Sequence, residues 1–292
     1  MPRSLLAGQR SRLWVLDVDT GERRLVLEDD ALLFEAPNWT PDGRDLVVNG
    51  DGRLFRIAAD GSDPTLTEID LAGVPEINND HVLSPDGAAV YVSSDDGHIY
   101  AVPYAGRSSR RVTNDNGDFR HYLHGISPDG ETLAYIGMGR TADAVVTNVF
   151  TVPAAGGQDS QLTDDAHPDD GSEFSPDGAW VYFNSERGTD APGHAQLFRM
   201  RPDGTGLEQL THDERVNWFP HVSPDGTRMA YVSFPPGTLG HPENLDVILR
   251  LAAPDGSGVR DLVHLFGGQG TINVPSWAPD SRHLAYVDYP LD

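Results

Sequence analysis

The tetrapeptide SPDG occurs four times, at residues 84–87, 127–130, 175–178 and 223–226. Two variants, TPDG at residues 40–43 and APDS at residues 278–281, extend the series to six copies that are 43 to 55 residues apart. Proline presets one backbone dihedral angle, aspartate accepts hydrogen bonds from the turn backbone, and glycine supplies a positive φ. The series therefore predicts six tight turns, one in each unit of a repeat architecture.

Short stretches of alternating or β-branched residues follow each turn, as in AVYVSS at residues 89–94. A second stretch, such as HIYAVP at residues 98–103, leads to another glycine-containing turn. A short outer strand, such as RRVT at residues 110–113, completes a unit of four strands. We therefore predict an all-β protein that folds as a six-bladed β-propeller with four-stranded blades.

The two ends of the sequence complement each other. The sixth unit stops after its second strand, HLAYVD, at residues 283–288, whereas residues 12–28 contain two strand-like stretches with no turn of the SPDG type before them. Closing a propeller with both ends removes the open sheet edges that an unclosed ring would expose. We therefore predict that residues 12–28 complete the last blade and that residues 1–292 form one propeller domain.

The charge and composition limit the partners. The 292 residues include 21 Lys and Arg against 45 Asp and Glu, a formal net charge of −24, which disfavours nucleic acid and anionic membranes as partners. The absence of cysteine excludes disulfides, Cys-ligated zinc and thiol catalysis. The first residues lack the apolar segment of a signal peptide. We expect a cytoplasmic monomer, or a periplasmic or secreted protein if a signal peptide has been removed.

A polar residue precedes each turn by two or three positions, in the strand expected to line the central channel. Four of these residues can transfer protons and are the candidate catalytic residues: His81, His124, Glu173 and His221. Because His81 and His124 stand three residues before their turns and His221 stands two before, His221 would face the other side of a regular strand. Each histidine taken alone is also typical of a hydrogen-bonded structural residue.

A second group of polar and aromatic residues stands nearer the mouth of the predicted funnel. These residue types suit recognition of a sugar or a carboxylate, and they are Glu35, Asn79, Asp80, Tyr122, Asp170, Trp218, Gln269 and Asn273. A long insertion in the fifth unit, residues 237–246, is expected on the same side, where His241 or Glu243 would cover a ligand.

The SPDG tails, the DG-containing second turns and the aromatic YV or YF strands resemble the repeat of the TolB-like β-propellers, which are relatives of WD-repeat propellers. The resemblance covers essentially the whole chain and implies a six-bladed propeller. More distantly, the chain resembles oligogalacturonate lyases, propellers that hold a divalent metal through histidines and a glutamine in the central funnel. That resemblance implies a manganese or calcium ion held by His81, His124, His221 and Gln269.

Two functions stay open. The first is a lyase or hydrolase acting on a carbohydrate or uronate, with a small molecule or oligosaccharide as ligand and proton transfer by the histidines and Glu173. The second is a non-catalytic TolB-like propeller that binds a peptide or protein over the funnel. We favour the enzyme, because interaction surfaces are enriched in aromatic and arginine anchors and the funnel connections contain few arginines.

Overall fold

A computed structural model describes residues 3–140, 144–188 and 191–291, and these residues form strands and turns without any helix. The first strands are β1 (Ser11–Asp17), β2 (Arg23–Asp29), β3 (Phe34–Trp39), β4 (Asp45–Gly50), β5 (Arg53–Ala58), β6 (Thr67–Ile69), β7 (Ile77–Leu83), β8 (Ala89–Ser94), β9 (Ile99–Pro103) and β10 (Arg110–Arg111). The middle of the chain adds β11 (Arg120–Ile126), β12 (Thr132–Arg140), β13 (Val145–Pro153), β14 (Ser160–Gln161), β15 (Asp169–Phe174), β16 (Val181–Ser185), β17 (Gln196–Met200) and β18 (Glu208–Gln209). The last strands are β19 (Val216–Val222), β20 (Met229–Phe234), β21 (Glu243–Ala252), β22 (Arg260–Gly268) and β23 (His283–Asp288).

Five antiparallel sheets of four strands follow one another along the chain, from β3–β6 to β19–β22. The first strands of neighbouring sheets contact one another, from β3 and β7 to β15 and β19, so they surround a central channel. With the sheet that contains both ends of the chain, these sheets make six blades, and the predicted six-bladed propeller is confirmed. No helix with the length and apolar character needed to cross a membrane occurs in the described parts of the chain.

The sixth blade combines the two ends of the chain. Its strands are ordered β2–β1–β23, and β1 pairs with β23 from Arg12 opposite Asp288 to Asp17 opposite His283. The prediction that residues 12–28 complete the last blade is therefore confirmed. The innermost strand of this blade is shorter than predicted, because only Trp277 forms a bridge, with Leu284. Pro275, just before this bridge, has no N–H to donate to a strand ladder.

The seam between the sixth and first blades is sealed by apolar packing as well as by strand pairing. Leu13 and Val15 of β1 and Val287 of β23 belong to one buried cluster with Phe34 and Leu46 of the first blade. Burial of a side chain of this size contributes about 1.5–3 kcal/mol of transfer free energy. The ring is therefore closed by a continuous core between two blades that lie far apart in the sequence.

The SPDG segments form the predicted turns. Ser84 Oγ donates a hydrogen bond to Asp86 Oδ1 at 2.6 Å, Ala88 N–H donates to the same oxygen at 3.0 Å, and Gly87 has a φ of 69°. The same serine-to-aspartate or threonine-to-aspartate bond occurs in four further turns, where the aspartates are Asp42, Asp129, Asp177 and Asp225. The hydroxyl donor lowers the pKa of each of these carboxyl groups. These aspartates therefore stabilise turns.

Replacing Leu13 by Ala should weaken ring closure. Leu13 is fully buried at the seam, so the substitution should lower the free energy of unfolding by about 2–5 kcal/mol. Leu25→Ala, at an exposed position in the same sheet, is the matched control and should change it by less than about 0.5 kcal/mol. Urea denaturation of both variants measures the difference, and equal losses would contradict the packed seam.

Candidate functional site

The inner strands carry irregularities that decide which side chains face the channel. The pairing register shifts within all five of β3, β7, β11, β15 and β19. In three of them the irregularity includes a residue with positive φ, namely Ala36 at 55°, Gly171 at 66° and Phe219 at 55°. A bulge inserts an unpaired residue and changes the phase of the side-chain alternation. The number of residues before the turn therefore does not determine which way a side chain points, and His221 pairs with Glu173 of the neighbouring blade.

His221 is hydrogen-bonded at both ring nitrogens. Its Nδ1 lies 2.5 Å from Glu173 Oε2, and its Nε2 lies 2.5 Å from the carbonyl oxygen of Ile272. Because a carbonyl oxygen only accepts, Nε2 carries a hydrogen, and Nδ1 is hydrogen-bonded to the carboxyl group. Trp277 Nε1 donates to the backbone oxygen of His221 at 2.8 Å. This imidazole is therefore held between two acceptors in the interior.

His124 has the same pattern of contacts in the third blade. Its Nδ1 lies 3.3 Å from the carbonyl oxygen of Asn273, and its Nε2 lies 2.8 Å from Asp170 Oδ1. The other carboxylate oxygen of Asp170 lies 3.4 Å from His241 Nε2, and His241 Nδ1 contacts Gln269 Oε1. Asp170 therefore bridges a histidine of the inner ring and a histidine of the long insertion.

The charges of this group are coupled. Burial lowers the pKa of His124, but the carboxylates of Asp80 and Asp170 outweigh burial and raise that pKa to about 9. Burial raises the pKa of Asp80 to about 6, although His124 opposes the shift. For Asp170, burial also favours the neutral acid, but the hydrogen bonds from His124 and His241 hold its pKa well below the usual range. At neutral pH, His124 is therefore an imidazolium beside a charged Asp170.

These side chains open onto a cavity of about 280 Å³, which we name the mouth cavity. Six of the eight predicted binding residues line it, namely Asn79, Asp80, Tyr122, Asp170, Gln269 and Asn273. The sequence interpretation did not select Asn78, Met138 and Phe219, which also line it. Asn78 could have been found from the polar run at residues 78–80, whereas apolar residues such as Met138 carry no signal that separates a cavity wall from a core.

A second cavity of about 350 Å³ lies at the end of the channel formed by the SPDG turns, and we name it the turn-side cavity. It is lined by Glu173, Trp39, Phe174 and Trp277 together with prolines of the turns. Among the residues that the structure describes, none lines both cavities. His124 and Glu173, which the sequence placed in one funnel site, therefore open onto different cavities.

The irregular segment Ile272–Pro275 lies between the two cavities. Its carbonyl oxygens at residues 272, 273 and 275 contact His221 of the fifth blade, His124 of the third blade and Asn38 of the first blade. Three side chains from widely separated blades therefore meet one segment of the sixth blade, which places that segment across the channel.

The remaining predicted site residues lie elsewhere. His81 is buried between the first two blades with Nε2 3.3 Å from the carbonyl oxygen of Val47, and burial lowers its pKa to about 4. Trp218 is buried behind the mouth cavity, with its ring 4.4 Å from that of His241. Glu35 lies in a neighbouring cavity on the rim, where it contacts Arg3. The structure thus brings together only part of the predicted set.

The predicted metal donors do not fit a divalent ion. Coordination requires a free lone pair on a deprotonated ligand, and both ring nitrogens of His124 and of His221 are engaged with protein groups. His81 faces a different part of the structure. Across residues 3–140, 144–188 and 191–291, no group of three His, Asp or Glu side chains is arranged to hold a metal ion.

The chain is similar to a family model, to the sequence of a known protein and to a solved structure. The family model described as the TolB β-propeller domain matches residues 126–240. An uncharacterized protein of Agrobacterium fabrum is 39% identical over 285 residues, which are 96% of this chain and 92% of that protein. The solved structure of a TolB candidate from Agrobacterium tumefaciens is 38% identical, with a TM-score of 0.89 over 97% of this chain and 99% of that one.

An oligogalacturonate lyase solved in complex with manganese is 17% identical, with a TM-score of 0.60 over 91% of this chain and 75% of that one. This likeness shows the propeller fold alone.

The pair of His124 and Asp170 should make stability depend on pH. Because the pKa of His124 in the folded state, about 9, exceeds its unfolded value of about 6.5, its contribution is complete below about pH 6.5 and is lost as the pH rises through about 9. His124→Gln should remove this part of the decline. His264→Gln, which replaces an exposed histidine, should show the same decline in stability as wild type. Urea denaturation across this pH range, with NMR titration of the His124 imidazole, measures the effect, and a wild-type decline in His124→Gln would contradict the assignment.

Proposed function

The chain belongs to the TolB-like β-propeller family, and from this membership we propose that it is a non-catalytic binding protein that takes a peptide or protein segment at the mouth of its funnel. One observation carries the proposal: the two channel histidines have no ring nitrogen free. A general base needs an accessible lone pair close to the proton that it removes. Histidines whose ring nitrogens are both hydrogen-bonded to protein groups instead stabilise the backbone segment that they contact, which suits binding.

The size and lining of the mouth cavity suit a peptide side chain. A volume of about 280 Å³ is at the small end of ligand sites, so it accommodates one or two side chains and not an extended oligosaccharide. Tyr122, Met138 and Phe219 give it an apolar wall, and methionine adapts its shape to different partners. Asn78 and Asn79 supply amide groups that match the donors and acceptors of a peptide backbone.

The charge of the mouth favours a basic segment. Two carboxylates, those of Asp80 and Asp170, line the cavity together with the imidazolium of His124, and the whole chain has a formal net charge of −24. A field of one sign around a cleft raises the rate of association with a ligand of opposite sign. We therefore infer that the preferred peptide carries at least one cationic side chain.

The carbohydrate lyase or hydrolase predicted from the sequence is less well supported. It relied on a polar, histidine-rich inner ring and on the small number of arginines in the funnel connections. The likeness to an oligogalacturonate lyase amounts to 17% identity. The small-molecule or oligosaccharide ligand, the monomeric state and the cytoplasmic location stay predictions.

Selection of a random peptide library on the immobilised protein tests the proposed function. We expect enrichment of peptides with basic residues, and Tyr122→Ala should weaken binding of an enriched peptide at least about tenfold, since aromatic anchors in a pocket carry much of the binding energy. Tyr100→Ala is the matched control. Tyr100 lies in β9 of the second blade, outside the mouth cavity, so this variant should bind the peptide as wild type does. Titration calorimetry measures both affinities.

Two results would overturn the proposal. One is equal binding of the selected peptides by the Tyr122 and Tyr100 variants, which would place the contact elsewhere. The other is turnover of oligogalacturonate by the wild type, followed by ultraviolet absorbance of unsaturated products, that disappears in His124→Gln.

A further inference from the structure

A mostly buried arginine occupies a site on the rim of the funnel, beside the mouth cavity. Arg3 Nη1 lies 2.8 Å from Glu35 Oε1 and donates to the carbonyl oxygen of Gln269 at 2.6 Å. The guanidinium carbon lies 4.3 Å from the centroid of the Tyr289 ring. A carboxylate, a carbonyl oxygen and an aromatic face are the three partners that a guanidinium prefers. Glu35, Gln269 and Tyr289 therefore form a guanidinium site.

The fold builds this site from residues on both sides of the seam that closes the ring. Tyr289, which follows β23, is fully buried, and its hydroxyl donates to the carbonyl oxygen of Phe34 at 3.2 Å. A side chain at Gly270 would collide with both the Glu35 carboxylate and the Tyr289 hydroxyl, and Gly270 has a φ of 86°. Gly270 and the hydrogen bond to Phe34 thus allow Glu35 and Tyr289 to lie close together at the seam.

Arg3 fits the site incompletely. Its Nε and Nη2 atoms are buried, yet they have no hydrogen-bond partner among the described residues. Glu35 contacts Arg3 through one oxygen, and its other oxygen lies 3.5 Å from Asn49 Nδ2. An arginine approaching in the best orientation donates two parallel hydrogen bonds to a carboxylate, and buried donors without acceptors cost free energy. A better-oriented guanidinium would therefore compete with Arg3.

The guanidinium site adjoins the mouth cavity. Arg3 and Glu35 line a cavity of about 160 Å³. This cavity shares Asn78, Asn79 and Gln269 with the mouth cavity. A peptide with one side chain in the mouth cavity can therefore place the side chain of a nearby residue in the guanidinium site.

We propose that the guanidinium site binds an arginine side chain of the peptide that occupies the mouth, and that Arg3 is its competitor within the chain. The proposal rests on the proposed function for the identity of the ligand. Lysine is a poorer fit, because its ammonium is a compact point charge that can neither donate two parallel hydrogen bonds nor stack flat on Tyr289.

Binding of N-acetyl-arginine amide to Arg3→Met tests the site without any larger peptide. Methionine keeps an apolar side chain against Tyr289 and removes the guanidinium. The probe should bind this variant about tenfold more tightly than wild type, the factor expected if Arg3 occupies the site in about nine molecules of ten. N-acetyl-lysine amide should bind more weakly, and the double variant Arg3→Met/Glu35→Gln should not bind the arginine probe. Titration calorimetry measures the affinities.

Arg53→Met is the matched control, because Arg53 pairs with Glu68 at an exposed position of the first blade. It should bind the arginine probe no better than wild type does. Arg3→Lys, which keeps a positive charge beside Glu35, provides a second variant if Arg3→Met does not fold, and it should bind the probe more tightly than wild type.

The outcomes separate this proposal from the proposed function. Equal affinity of the arginine probe for the Arg3 variants, Arg53→Met and wild type would overturn the guanidinium site, even if selected peptides bind at Tyr122. If the probe binds the Arg3 variants tightly while selected peptides bind Tyr122→Ala as well as wild type, the guanidinium site stands and peptide binding at the mouth is wrong.

Discussion

The pairing of β1 with β23 is the constraint on which the rest of the structure depends. It joins the two ends of the described chain in one blade and fixes the ring of inner strands around a closed channel. Without it, both the first and the last blade would expose an unpaired sheet edge. Phe34 and Tyr289, which belong to the buried cluster at this seam, also support the guanidinium site. Ring closure and the site proposed for ligand recognition therefore share the same residues.

Three polar residues of the inner ring are hydrogen-bonded to the backbone of the sixth blade. A segment without a regular strand partner leaves carbonyl groups that require donors in the interior. His124, His221 and Asn38 supply those donors to residues 272–275. The positions of these three polar side chains, two of which resemble part of a catalytic site when read as a sequence, are accounted for by the hydrogen-bonding needs of one irregular segment.

The fold could be predicted from the sequence because the SPDG turns are local features, set by the chemistry of a few consecutive residues. The position of Asp170 in the mouth could also be predicted, since its blade follows the same repeat. The direction of His81 could not, because the irregularities in the inner strands depend on packing between blades. The contact between Arg3 and Glu35 joins two segments that no local pattern relates, so it was visible only in three dimensions.

The segment Ile272–Pro275 lies between two cavities, one at the mouth and one at the turn side of the channel. Within the described parts of the chain, the turn-side cavity with Trp39 and Trp277 shares no lining residue with the mouth cavity. Selection can therefore alter the specificity of each face separately, so that one ring of blades offers two independent surfaces for evolution.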